Sequence, residues 1–330
     1  MFLASLAVLA GFFMLVWGAD RFVYGAAGCA RSFGIPPLII GLTIVGFGTS
    51  APELLVSSLA ALEGEPGMGV GNALGSNITN VALVLGIATL VRPLAVQRNI
   101  VVVDIPVLLA VMTGAFLLLI DGELGRVDGA LLLGGLTLMI AIIVRQGLRG
   151  KAPTDALDDV PDKMDGKTAV FWLVVGLAVL LGGAKLLVDN AVAIATSLGV
   201  DSTVIGLTVV AFGTSLPELA ATVVAARKDE HDIALGNIIG SNMFNVLGVL
   251  GLPGIIAPAA IDEDVLFRDG PVMLGVVALL WLITVLPPRG KIPRWGGAIM
   301  AGVFGLYIAW VGVDSYGERT AAGTAVEVQP

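Results

Sequence analysis

About ten stretches of this chain are each long and apolar enough to cross a lipid bilayer, and that constrains its fold more than any other feature. They lie near residues 2–20, 37–61, 68–91, 99–120, 127–144, 168–196, 203–226, 232–258, 271–287 and 295–313. A spanning helix needs roughly 20 predominantly apolar residues, because the hydrocarbon core offers no water to its backbone. The composition agrees: 57% of residues are hydrophobic and 13% charged, against about 25% charged in soluble domains. The sequence therefore predicts an all-α polytopic membrane protein. The opening MFLASLAVLAGFFMLVWGAD lacks the basic start of a cleaved leader and reads as a helix that stays. The single cysteine, Cys29, permits no internal disulfide. The net charge of −8 sits mostly in loops and points to no acidic or basic partner.

The chain repeats itself. IGLTIVGFGTSAPEL (Ile40–Leu54) returns as IGLTVVAFGTSLPEL (Ile205–Leu219), and GNALGSNITN (Gly71–Asn80) returns as GNIIGSNMFN (Gly236–Asn245). The offset is 165 residues for both, from Glu53 to Glu218 and from Asn80 to Asn245. Weaker echoes, Asp104 with Asp269 and Gly34 with Gly199, keep it. Such self-similarity marks two structural units of one pattern. Five helices per half is an odd number, so the second half must enter the membrane inverted. Basic residues test this, because Lys and Arg gather in cytoplasmic loops. With the N-terminus outside, inside loops hold Arg31, Arg92, Arg98, Arg145, Arg149, Lys151, Lys163, Lys167, Arg227, Lys228, Arg289, Lys291 and Arg294; the outside keeps Arg126, Arg268 and Arg319. Both termini are expected outside. The expected division is a first five-helix repeat over 1–148, a cytoplasmic linker over 149–166 and an inverted second repeat over 167–330.

Two carboxylates, Glu53 and Glu218, fall inside apolar segments at equivalent places. A charge at the bilayer centre costs at least about 2.5–3.5 kcal/mol and usually marks an ion or substrate path. A lone buried glutamate can be a satisfied crosslink; two at matching positions, each within GTSxPE, favour the path further. On a continuous helix Thr49 and Ser50 would share a face with Glu53. Pro52 and the glycines Gly46 and Gly48 predict a break there, freeing carbonyls toward a cavity. In the second motif Ser76 shares a face with Asn80, and Ser241 with Asn245. The pairs Gly71/Gly75 and Gly236/Gly240 have the spacing that lets helices approach closely.

Every candidate ligand is oxygen, from Thr49, Ser50, Glu53, Ser76, Asn80, Thr214, Ser215, Glu218, Ser241 and Asn245. That suits hard cations such as Ca²⁺, and Na⁺ by the same logic. With no Cys or His nearby, zinc and copper are disfavoured. Two neighbouring carboxylates in low dielectric cannot both stay charged and bare; they need cations or a proton. Inverted repeats commonly bind substrate where the halves meet, on broken helices.

The paired GTSxPE and GNxxGSNxxN segments resemble those of the cation/calcium exchanger superfamily, particularly prokaryotic sodium/calcium exchangers, over essentially the whole chain. The resemblance implies ten helices in two inverted sets, alternating access gated by sliding of the first and sixth, and competition of Na⁺ and Ca²⁺ for one site. It adds the backbone carbonyls of Gly46 and Ala211 as ligands. Some members carry Asp where this chain has Asn245, so potassium cotransport is not expected. The expected protein is an antiporter in the plasma membrane, with Ca²⁺ and Na⁺ as transported ligands, no cofactor, no nucleic acid and no obligate protein partner. Ca²⁺/H⁺ exchange at the same glutamates is the alternative. A hydrolase using Ser50 or Ser215 would need a base, and the only histidine, His231, lies in a polar loop. A passive channel would not need inverted halves.

Overall fold

The computed structural model describes residues 1–149, 164–199, 211–287 and 289–326. The first half contains α1 (Phe2–Phe33), α2 (Pro37–Thr49), α3 (Ala51–Leu62), α4 (Pro66–Val91), α5 (Ile100–Leu118) and α6 (Arg126–Arg149). The second contains α7 (Gly166–Ser197), α8 (Ala211–Thr214), α9 (Leu216–Arg227), α10 (His231–Ile256), α11 (Val265–Val285) and α12 (Arg294–Val326). Counting α2 with α3 as one bent span, nine spans lie among the described residues. The tenth, expected near 203–226, starts outside them. Its described part, α8 and α9, repeats the division of α2 from α3. Most of the expected linker also lies outside the described residues.

The inversion is visible where equivalent helices meet. Helix α1 packs against α7, its counterpart, with Gly11 facing Leu187, Gly18 facing Leu180 and Gly25 facing Leu173. As one number rises the other falls, so the two run antiparallel. Two short ribbons obey the same symmetry. β1 (Leu94–Ala95) pairs with β4 (Lys291–Ile292), and β2 (Glu123–Leu124) with β3 (Ala259–Ala260), both antiparallel and each joining one half to the other.

Helices α4 and α10 run through the middle, their apolar faces lined by Val70, Ala73, Ile78, Ile233, Ile238 and Ile239. Of the two glycine pairs with close-approach spacing, Gly236 and Gly240 make the approach, a Cβ on Gly240 standing 2.4 Å from the Leu42 carbonyl oxygen, whereas a Cβ on Gly71 or Gly75 would meet nothing within 4 Å. Charged residues of α1 and α7 lie apart from this centre. Lys185 pairs with Asp189 at 3.0 Å, Asp20 with Lys228 at 2.7 Å, and the Arg21 guanidinium sits over the Trp172 ring.

Candidate functional site

The site forms where both halves break a helix. α2 ends at Thr49, Ser50 leaves helical geometry with φ −84° and ψ 2°, and α3 restarts at Ala51 with its axis bent by 43°. Pro52 sits in the first turn of α3, where its missing N–H would have had no partner anyway. Ser215 repeats this with φ −88° and ψ 5°, and Pro217 opens α9. Each glutamate thereby falls in the first turn of a new helix. That end carries the positive pole of the helix dipole, which favours a carboxylate.

The break overturns one expectation from spacing. Because the helix is interrupted, Thr49 and Ser50 do not cap the Glu53 face but address the opposite repeat. The Thr49 hydroxyl lies 3.1 Å from Asn237 Oδ1 and 3.2 Å from Ser241 Oγ. The Ser50 hydroxyl donates to Glu218 Oε1 at 3.4 Å, and Ser241 donates to the Gly46 carbonyl at 3.3 Å. GTS of the first half is thus interleaved with GSN of the second. Asn80 and Asn245 lie on a second distortion of their helices, π-helical turns at Thr79–Val84 and Asn245–Val249. Such turns often occur at functional sites.

Of the twelve expected residues, Thr49, Ser50, Glu53, Ser76, Asn80, Ser215, Glu218, Ser241 and Asn245 are all buried. Gly46 is buried beside them, its backbone against Gly240 and Ser241. Ala211 and Thr214 lie on α8, the counterpart of Gly46–Thr49. Both carboxylate oxygens of Glu53, one of Glu218, the Ser215 hydroxyl and both polar side-chain atoms of Asn80 and Asn245 find no hydrogen-bond partner. A buried polar group left unpaired costs about 1–3 kcal/mol, and a charged one more. So many at one place fit a cation taking oxygen ligands from both halves. Among the described residues no three His, Cys, Asp or Glu side chains gather. A divalent ion here would draw most of its shell from hydroxyl, amide and backbone oxygens.

Two pairs of supporting residues escaped the sequence reading. Asn72 Nδ2 donates to Ser57 Oγ at 2.9 Å and to the Glu53 carbonyl at 3.3 Å. Asn237 Nδ2 donates to Thr222 Oγ1 at 2.9 Å and to the Glu218 carbonyl at 3.5 Å. Each asparagine thus ties its own half's glutamate helix in place. The signal was present: Asn72 and Asn237 are identical across the repeat, and Ser57 and Thr222 both keep a hydroxyl.

Paired inverted repeats with broken helices around a buried cluster of oxygen atoms define a secondary membrane transporter, not an enzyme. The comparisons with known proteins give the family. Residues 3–145 and 168–313 match the sodium/calcium exchanger protein family, and the chain belongs to it. CaxA of Alkalimonas amylolytica is 46% identical over 310 residues, covering 92% of this chain and 97% of that protein. Inner membrane protein YrbG of Escherichia coli is 40% identical, covering 94% and 97%. A solved structure of the sodium-calcium exchanger NCX_Mj, soaked with Na⁺ and Ca²⁺, superposes with TM-score 0.82 at 34% identity, covering 93% of this chain and 98% of that one.

Proposed function

We propose that this chain exchanges Na⁺ for Ca²⁺ across the plasma membrane by alternating access, at a single site built from both halves. The metal ligands are drawn from Gly46, Thr49, Ser50, Glu53, Ser76, Asn80, Ala211, Thr214, Ser215, Glu218, Ser241 and Asn245. One observation carries the reading: Glu53 and Glu218 are both fully buried at the starts of paired broken helices, with three of their four carboxylate oxygens unpartnered. The name of the solved relative, a sodium-calcium exchanger, supports the choice of ions. The name of YrbG, an inner membrane protein, supports the location. The basic loops put the linker in the cytoplasm and both termini outside.

The mechanism follows from charge. Two buried carboxylates repel each other and lose hydration, so the site without cations is unfavourable. Ca²⁺ or Na⁺ relieves this, and the loaded site can be passed between the two sides while the bare one resists crossing. That asymmetry couples the fluxes. With asparagine at both Asn80 and Asn245 the centre holds two carboxylates, so potassium should not be cotransported.

The test is ⁴⁵Ca²⁺ uptake into proteoliposomes loaded with Na⁺ and diluted into sodium-free buffer. Uptake should require internal Na⁺, ignore internal K⁺, and fall at least about tenfold in Glu53→Gln, the change expected if the lost charge interaction exceeds about 1.4 kcal/mol. Uptake driven by a proton gradient and indifferent to Na⁺ would replace this reading with Ca²⁺/H⁺ exchange.

A further inference from the structure

Two cavities outside the ion site share one residue. On the side of the membrane where Met164 of the linker meets Ser32, a polar pocket of about 720 Å³ is faced by Arg92 beyond the end of α4, Arg227 at the end of α9, Lys291 in β4, Arg294 at the start of α12 and His231. Among the described residues that line it, the one carboxylate is Asp229, 2.5 Å from Arg92. Arg294 bonds the Leu90 and Val91 carbonyls at 3.1 and 3.5 Å, which fixes its guanidinium, and among the described residues it joins none of the ion pairs. Among the described residues Arg227 and Lys291 take part in none of the ion pairs. Four basic groups from four elements against one acid suit an anion with several oxygens, of which phosphate is the natural class.

Arg227 also closes one end of a second cavity, of about 830 Å³, whose other walls are almost wholly apolar. It runs along α9 between α1, α4 and α12, past Val223, Leu15, Ile87 and Ile308, as far as Leu216. Leu216 lies eleven positions from Arg227, about 16 Å at a rise of about 1.5 Å per residue. That is close to half of the roughly 30 Å hydrocarbon thickness, the depth of one leaflet. A soluble phosphate has no use for such a groove.

We propose that the two cavities form one binding site for an anionic phospholipid of the linker-side leaflet. Its phosphate lies among Arg227, Lys291 and Arg294, and one acyl chain lies along α9. The site stands apart from the exchange reading and can fail without it.

Native mass spectrometry of the full-length protein decides this, with phosphatidylglycerol, phosphatidylcholine of the same chains, and inorganic phosphate as probes. The wild type should retain phosphatidylglycerol over phosphatidylcholine by roughly fivefold for each basic residue engaged. The double variant Arg227→Gln/Lys291→Gln should lose that preference, and Ile308→Trp, which fills the groove, should weaken both lipids. Lys291→Gln alone serves as the reading if the double variant does not fold, with a partial loss expected. Equal retention of the two lipids by the wild type would overturn the proposal, as would an unchanged preference in the glutamine variants. Displacement of phosphatidylglycerol by inorganic phosphate at matched concentration would also overturn it, assigning the pocket to a soluble anion.

Discussion

Asn237 does three jobs with one side chain: it accepts from Thr49, donates to Thr222 and donates to the backbone carbonyl of Glu218. Replacing it with leucine would leave the buried Thr222 hydroxyl without its asparagine partner, at roughly 1–3 kcal/mol where no water takes its place, while Thr49 keeps its bonds to the Val45 carbonyl and to Ser241. Asn237→Leu should therefore lower the melting temperature and weaken Ca²⁺ activation of transport. Asn72→Leu should do less, because Asn72 is only half-buried. Equal losses, measured by thermal unfolding and uptake, would contradict this ranking. A second expectation concerns Glu230, on the linker-side loop and bonded to Arg31. Burial raises its carboxyl pKa more than Arg31 lowers it. A raised folded-state pKa contributes stability that is fully present below the unfolded value and lost as pH rises through the folded one. Glu230→Gln should therefore gain stability relative to wild type at pH 7 and little at pH 4. At this scale the equivalent places of these polar residues were legible in the sequence, but their hydrogen-bond partners were not. Ser50 lies three residues from Glu53 yet bonds Glu218, because contacts across a break depend on the second half, which local spacing does not encode.

At the scale of elements, the break at Ser50 was legible because a proline and two glycines announce it. The packing of α1 on α7 was not. Gly11, Gly18 and Gly25 recur every seven residues, as do Gly176 and Gly183 on α7, but glycine in an apolar run is common enough to hide a stripe. In the structure the stripe brings backbones together. A Cβ on Gly18 would lie 2.4 Å from the Leu180 nitrogen, and one on Gly25 2.2 Å from the Leu173 nitrogen. At these positions backbone meets backbone, while between them large rings such as Trp17 and Trp172 meet across the pair, their centroids 6.1 Å apart. Gly18→Ala should separate the helices and cost about 1–3 kcal/mol by overpacking. Gly114→Ala on α5, where a Cβ meets nothing within 4 Å, should instead stabilise by roughly 0.5–1 kcal/mol, since alanine is the better helix former. Thermal unfolding of the two variants separates the cases, and opposite signs are required.

The whole molecule is two copies of one pattern, so differences between equivalent places report the state it occupies. The loops following α3 and α9 are equivalent, and both turn through a left-handed residue, Gly64 at φ 87° and Asp229 at φ 62°. Aspartate tolerates that region better than most side chains. Here its carboxylate also ties to Arg92, while Glu230 bonds Arg31 and Lys228 bonds Asp20. Among the described residues Glu63 and Glu65 make no ion pair on the opposite side. Of these two equivalent loops, the linker-side one alone is held by ion pairs among the described residues. Each such surface pair contributes about 0–1 kcal/mol, so together they can bias an equilibrium between two inverted states by roughly tenfold, which corresponds to about 1.4 kcal/mol. Ala60 and Ala225 are equivalent, buried, and placed between the glutamates and the two loops. In a Cys29→Ser background, cysteine at either position reports opening of its side to a soluble thiol reagent. Arg92→Gln/Lys228→Gln should speed labelling of Ala225→Cys severalfold and slow that of Ala60→Cys, because one rigid rearrangement opens one side as it closes the other. If Ala225→Cys speeds up while Ala60→Cys is unaffected, the pairs only hold a loop in place. If neither changes, they do not bias the equilibrium at all.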